Sequence, residues 1–506
     1  WYKTVFKLIF LIQNIFLSLL ALTKIPRYVV VIAERRVGFP KHVIKIKSIS
    51  MAQIKKLAVF GTRTKSKARR NDDSSSDCSD SNDSLIRYDC ETNAQCTSNN
   101  LADFLRGREL GNQKVQPMLL DTEYGTRQLL IKSLLQETEI PLKYINKVFC
   151  SKWLTGQQII FGTKCNKLIV LDLNTSQMVL IPSLDSSRNS IQPEIACGIH
   201  TIQMNPSRTL LATGAANPND VAVYKLPTMD PVLNNGKLVD LTQGAHKDWV
   251  FDIAWLDDTF FVTGSRDTSL ALWRVDDTQS NCHRSGIPSH YIMHPLIVRQ
   301  CQKAEKVRAL AFNNKCKEVV ALSLNAFLHL YDVESFRQKL SWKLPNQQEN
   351  VCLSMQAEVS LYAVGSKSHV TLIDTRTLYP IKNIPSENES CNVRSVSFTG
   401  NILTIGTGVG LILFYDIRAD KYLGVQSTNN NNGKQETKQI ILKATKGWVY
   451  QTDAFREVYN GAEYSPAIYT HCYDPSGTKL FAAGGPLPAS VQGNYAGLWQ
   501  GMRKSI

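Results

Sequence analysis

This 506-residue chain lacks the familiar signatures of catalysis: no P-loop, no H-E-x-x-H, no G-x-S-x-G and no Gly-rich dinucleotide fingerprint. The commonest nucleotide-dependent, zinc-peptidase and serine-hydrolase chemistries are therefore excluded, and a non-enzymatic binding role is expected. Twelve cysteines are present, but none forms a C-x-x-C pair. That speaks against a zinc ribbon or a disulfide framework and for reduced thiols in the cytosol or nucleus. Nine histidines show no ligand spacing, so no metal and no cofactor is expected. "GTGVG" at Gly406–Gly410 looks phosphate-like but does not open a helix, and reads as a tight turn between strands. Acid is the scarcer charge: 43 Asp and Glu stand against 58 Lys and Arg, a formal +15. Such an excess points to anionic partners: nucleic acid, a membrane surface or acidic protein segments.

Four regions are expected. Residues 1–50 contain "VFKLIFLIQNIFLSLLAL" (Val5–Leu22), which is nearly long enough to span a bilayer but is interrupted by Lys7, Gln13 and Asn14. The reading adopted is translated upstream sequence, with the natural start at Met51 and no membrane contact; a hydrophobic anchor is the alternative. Residues 51–98 combine a basic cluster with the acidic, Ser-rich "NDDSSSDCSDSNDS", the composition of a disordered tail. Residues 99–140 read as two amphipathic helices, with Phe104, Leu105 and Leu134 among their apolar positions. Residues 141–506 carry a repeat.

Seven stretches share one plan: a strand of alternating apolar residues, a turn, a second strand, a Gly/Ser/Asn/Asp turn and a third strand. Examples are "WVFDIAWLDDTFFVTGSRDTSLALWRV" (249–275), "VRALAFNNKCKEVVALSLNAFLHLYDVE" (307–334) and "VRSVSFTGNILTIGTGVGLILFYDIRA" (393–419). The spacing of roughly 40 to 60 residues leaves room for a fourth strand, the signature of a β-propeller. One four-stranded sheet cannot bury both its faces alone; seven in a ring can. An all-β, seven-bladed propeller follows, preceded by a short helical segment and a disordered N-terminal tail.

The third copy resembles a WD40 repeat. His246, Thr263, Asp267 and Trp273 stand where that family builds a buried polar relay, in which each polar group finds a partner. Two consecutive copies end in "IDTR" (Asp374, Arg376) and "YDIR" (Asp416, Arg418). These resemble the W-D-x-R boxes of WD40 substrate receptors of cullin-four RING ubiquitin ligases. "NPSRTLLATG", "HKDWVF", "FYDIRA", "AGGPLP" and "GNYAGLW" extend the resemblance over residues 146–499. It implies a receptor that joins cullin-four through the adaptor damage-specific DNA-binding protein one. The two arginines and the helix-loop-helix would face the adaptor. An equally good reading of the helices is a brace packed on the propeller.

The second position of the first strand reads as basic in four copies: Lys147, His200, Arg308 and Arg394. The turn after the second strand carries Lys164, Arg266 and Lys367. In a WD40 propeller both positions open on the top face, so cations from separate blades would converge and repel unless an anion compensates. The resemblance implies that the anion is a protein C-terminus ending in two glutamates. No small-molecule substrate is expected, and a cytoplasmic and nuclear location is. The rivals are a nucleic-acid-associated protein, against which the absence of an aromatic stacking platform speaks, and a WD40 scaffold with no ligase link.

Overall fold

The computed structural model describes residues 122–501, apart from 143, 184–197, 216, 218, 235–245, 276–290, 293, 346–348, 387–390, 429–434 and 461–463. The expected regions 1–50 and 51–98, with Phe104 and Leu105, lie outside the described residues.

Seven antiparallel sheets form around one axis. Blade 1 comprises Val148–Trp153, Gln158–Thr163, Leu168–Asp172 and Gln177–Ile181, in that order from the inside outward. The inner strands of blades 2 to 7 are Ile202–Met204, Val250–Trp255, Val307–Asn313, Cys352–Gln356, Val393–Thr399 and Ala467–Tyr473. Each touches the next, and the last touches Val148–Trp153, so the ring closes. All seven repeats seen in the sequence are blades.

Burial falls from the middle of each blade to its rim. In blade 1, Gln158–Thr163 is almost wholly buried, whereas Gln177–Ile181 exposes four of its five residues. The recurring glycine of the second strand explains how closely blades approach. A Cβ on Gly264 would lie 2.7 Å from Val307 Cγ1 of blade 4, and one on Gly162 would lie 2.6 Å from Ile199 Cγ2. At these two positions a side chain would press directly on a residue of the neighbouring blade.

The expectation for residues 99–140 needs correction. Helix α1, Thr122–Ile131, is present. It stops there: Ser133 adopts φ +49°, and Leu135–Glu139 is a strand. That strand pairs antiparallel with Gly493–Gly501 and becomes the outermost strand of blade 7. The N-terminal and C-terminal parts of the propeller thus share one sheet. The sequence pattern looked helical, but the open edge of Gly493–Gly501 offers hydrogen bonds that local propensity cannot match.

Helix α1 is a brace. Leu130 is fully buried among Ile402, Phe414 and Trp499. Arg127 Nη1 donates to Asp416 Oδ2 at 2.6 Å, Thr126 Oγ1 to the Gly477 carbonyl at 2.7 Å, and the Asn401 N–H to Glu123 Oε2 at 3.0 Å. Leu134 follows the helix and is 45% exposed, so it belongs to no apolar helix face.

Blade 3 contains the expected relay. Trp273 Nε1–H donates to Thr263 Oγ1 (2.9 Å), and the Thr263 hydroxyl meets His246 Nε2 (2.7 Å). His246 Nδ1 meets Ser269 Oγ (2.9 Å), whose hydroxyl donates to Asp267 Oδ1 (2.5 Å). Ser269 is a member that the sequence reading missed. Burial alone would raise the Asp267 pKa, but the bonds and charge from His246 outweigh it and hold the carboxyl well below its ordinary range.

Candidate functional site

The inner strands of five blades carry a β-bulge at the same place, between Val148 and Cys150, Val250 and Asp252, Val307 and Ala309, Val393 and Ser395, and Ile468 and Thr470. The extra residue is left out of the ladder, which re-aims its side chain. The bulged residues are Phe149, Phe251, Arg308, Arg394 and Tyr469. With His200 and Val351 they line the central channel, a cavity of about 510 Å³.

This changes the expected register in blade 1. The channel residue is Phe149, not Lys147. Lys147 sits two positions earlier, where its carbonyl accepts from the Lys164 N–H, just as the Trp249 carbonyl accepts from the Arg266 N–H in blade 3. The signal was in the sequence: aligned on their tryptophans, "VFCSKW" and "VFDIAW" place Phe149 over Phe251. Of the seven channel positions three are basic, and four are aromatic or aliphatic.

The expected cations form two groups. Lys147 and Lys164 lie together beside the blade 7 loop. Lys147 is 1% exposed; its Nζ donates to the Pro488 carbonyl at 2.5 Å, and Lys164 Nζ donates to the Ala489 carbonyl at 2.6 Å. Burial, then the Lys164 charge, brings the Lys147 pKa down to about 7. Burial lowers that of Lys164 too.

The second group is Arg308, Arg394, Arg266 and His200. The Arg308 guanidinium lies 4.1 Å above the Phe251 ring, and its Nε has no hydrogen-bond partner among the described residues. Burial, then the neighbouring charges of Arg394 and Arg266, pull its pKa down to about 10. Arg394 Nη2 donates to Glu349 Oε2 at 2.9 Å, while its Nε is also unpartnered. Arg266 stacks 4.9 Å above Trp249 and lies 3.4 Å from Asp248 Oδ2. The His200 ring is stacked between Phe149 (4.7 Å, 9°) and Trp249 (6.1 Å, 17°). Lys367 stands exposed after the second strand of blade 5. The sequence reading missed Phe149, Trp249 and both carboxylates, because it searched for cations alone. A channel mouth so built can hold an anion: Arg308 is desolvated, charged and short of acceptors.

At the third-strand ends the expected adaptor residues divide. Arg376 is 77% exposed on the side chain, and its backbone N–H and Nε both lie near Asp374 Oδ1. Arg418 is exposed and has no ion pair among the described residues. Asp416 is only 2% exposed and is committed to Arg127 and to the N–H groups of Arg418 and Ala419. It shapes the turn and cannot reach a partner. Among the described residues there is no metal-ligating cluster, and no helix is long and apolar enough to cross a membrane.

A family model described as the DDB1- and CUL4-associated factor 12 beta propeller matches residues 131–500.

Proposed function

The chain belongs to the DDB1- and CUL4-associated factor 12 β-propeller family, and from that premise we propose that it is the substrate-recognition subunit of a cullin-four RING ubiquitin ligase. It reads acidic protein C-termini, of the Glu-Glu type, at the channel mouth. The observation that carries this reading is Arg308: a half-buried guanidinium whose Nε is buried and without a hydrogen-bond partner among the described residues, held over Phe251 and flanked by Arg394 and Arg266. A buried donor without an acceptor is unfavourable unless a ligand supplies one. The carboxylates of a chain end, thin enough to enter the mouth, would do so.

The exposed Arg376 and Arg418 would meet the adaptor, damage-specific DNA-binding protein one, at the ends of blades 5 and 6. Their planar donor forks suit acceptors on a protein surface. The receptor itself breaks no bond. It raises the effective concentration of the captured protein near the ubiquitin-loaded enzyme, in the cytoplasm and nucleus.

Calorimetry with three ligand–receptor pairs tests the reading: a Glu-Glu-ended peptide, the same peptide amidated, and the first peptide with Arg308→Met. Each charge-assisted bond contributes about 1.5–3 kcal/mol, so both changes should weaken binding about tenfold or more at 1.4 kcal/mol per decade. Equal affinities across the three would defeat it.

A further inference from the structure

Two carboxylates stand at the channel mouth, each on an arginine, but they are held differently. Asp248 is tied into its own turn: its Oδ1 accepts from the Trp249 N–H at 2.8 Å. Its partner Arg266 is also stacked on Trp249. Both side chains are 36% exposed. Glu349 belongs to the segment leading into the inner strand of blade 5 and reaches across to Arg394 of blade 6. Its side chain is 52% exposed, against 17% for Arg394. That ion pair is the only side-chain bond of Glu349 among the described residues. Its backbone adopts φ +45°, a region disfavoured for a residue with a Cβ. Arg394 meanwhile keeps an unpartnered Nε.

We infer that Glu349 is a specificity-determining residue: a resident competitor whose carboxylate occupies, on Arg394, the seat that an acidic tail's own carboxylate takes. This rests on the reading of the mouth as an acidic-tail site and adds a threshold to it. An exposed ion pair is weak enough to exchange. The Arg394 guanidinium, only 17% exposed and with an Nε already unpartnered, cannot in contrast be left without an acceptor cheaply. Arg394 therefore changes partner only for an anion that satisfies it better than Glu349 does. A tail with a neutral side chain leaves the Glu349 pair in place, and its own terminal carboxylate must make do with Arg308.

Glu349→Gln and Glu349→Ala should both fold, because the side chain is half exposed and outside the core. Both are titrated against a Glu-Glu-ended peptide and a Gln-Gln-ended peptide with a free terminus. Binding of the Glu-Glu peptide should tighten about three- to tenfold, and that of the Gln-Gln peptide by less than about twofold. In an Arg394→Met background the Glu349 substitutions should have no effect on either. Unchanged or weaker Glu-Glu binding would overturn the inference, since Glu349 would then only hold Arg394 in place. A gain that survives Arg394→Met would overturn it too, as the effect would be long-range charge. Failure of the parent reading looks different: the unsubstituted receptor would bind amidated and free Glu-Glu peptides alike.

Discussion

Blade 3 and the channel mouth solve the same problem in opposite ways. Both place charged and polar side chains out of water. In blade 3 the relay closes on itself: Trp273, Thr263, His246, Ser269 and Asp267 each bond to the next within 3.0 Å. Asp267 also accepts from the Lys247 N–H, which leaves the network nothing to offer a ligand. At the mouth the accounts stay open. Arg308 and Arg394 each keep a bare Nε, and Lys147 leans on a loop carbonyl. A polar group satisfied from within contributes to the fold; one left short is available to a partner. The difference is not one of residue type, because both clusters are rich in charge and aromatic rings. It lies in whether the matching group comes from the chain itself.

Three measurements can break or sharpen that contrast. The largest effect is expected from Trp273→Ala, which removes a fully buried side chain and the donor that starts the relay. Stability should fall by about 3–5 kcal/mol in chemical denaturation; a loss below about 1 kcal/mol would show that the relay is ornamental. Next comes the pH dependence of Lys147. Its pKa is about 7 in the folded chain and 10.5 in its ordinary state. Between these values the unfolded chain binds the extra proton, so this residue makes stability rise with pH from about 7 to 10.5. Below pH 7 the full cost of burying the ammonium remains. Lys147→Met should remove that slope and stabilise the protein near neutrality; an unchanged slope would place the titration elsewhere. The smallest effect belongs to Arg308→Met. Because its guanidinium is desolvated and short of bonds, the thermal midpoint should stay put or rise, even if the proposed tail binding is lost. A clear fall would make Arg308 a structural residue, like those of blade 3.

Acid adds a check on the interior outside the mouth. His471 bonds to Ser395 and Ser397 within the inner ring, and burial drives its pKa down to about 4. Neutral in the folded chain, it contributes stability above pH 6.5 that is lost as pH falls towards 4. His471→Asn should make the acid limb of a stability–pH curve shallower.

Most of the architecture was legible in the sequence because a blade advertises itself locally. Alternation, turn chemistry and the repeating glycine each act within one blade or between neighbours, and all seven copies proved to be blades. The site was legible in part. Arg308, Arg394 and His200 could be placed from their register, and Lys164, Arg266 and Lys367 from their turn. Lys147 was misplaced because the first copy was aligned two residues out of step; matching Trp153 to Trp255 restores Phe149 to the channel position. Asp416 passed for a surface acid until α1 was found lying on it. Residues 135–139 passed for helix until the edge of blade 7 was found waiting for them.

What the sequence by itself determined, then, is the number of blades, four of the five relay residues of blade 3 and the chain's excess of cations over acids. Tertiary structure alone decided how the ring closes, which side chain each bulge aims into the channel, and which cations keep a carboxylate. Alternation and turn preference are set by the residues within a few positions of one another. Closure and charge pairing depend on residues that meet only after the chain has gone once round the axis, as Glu137 meets Tyr495 and Arg127 meets Asp416.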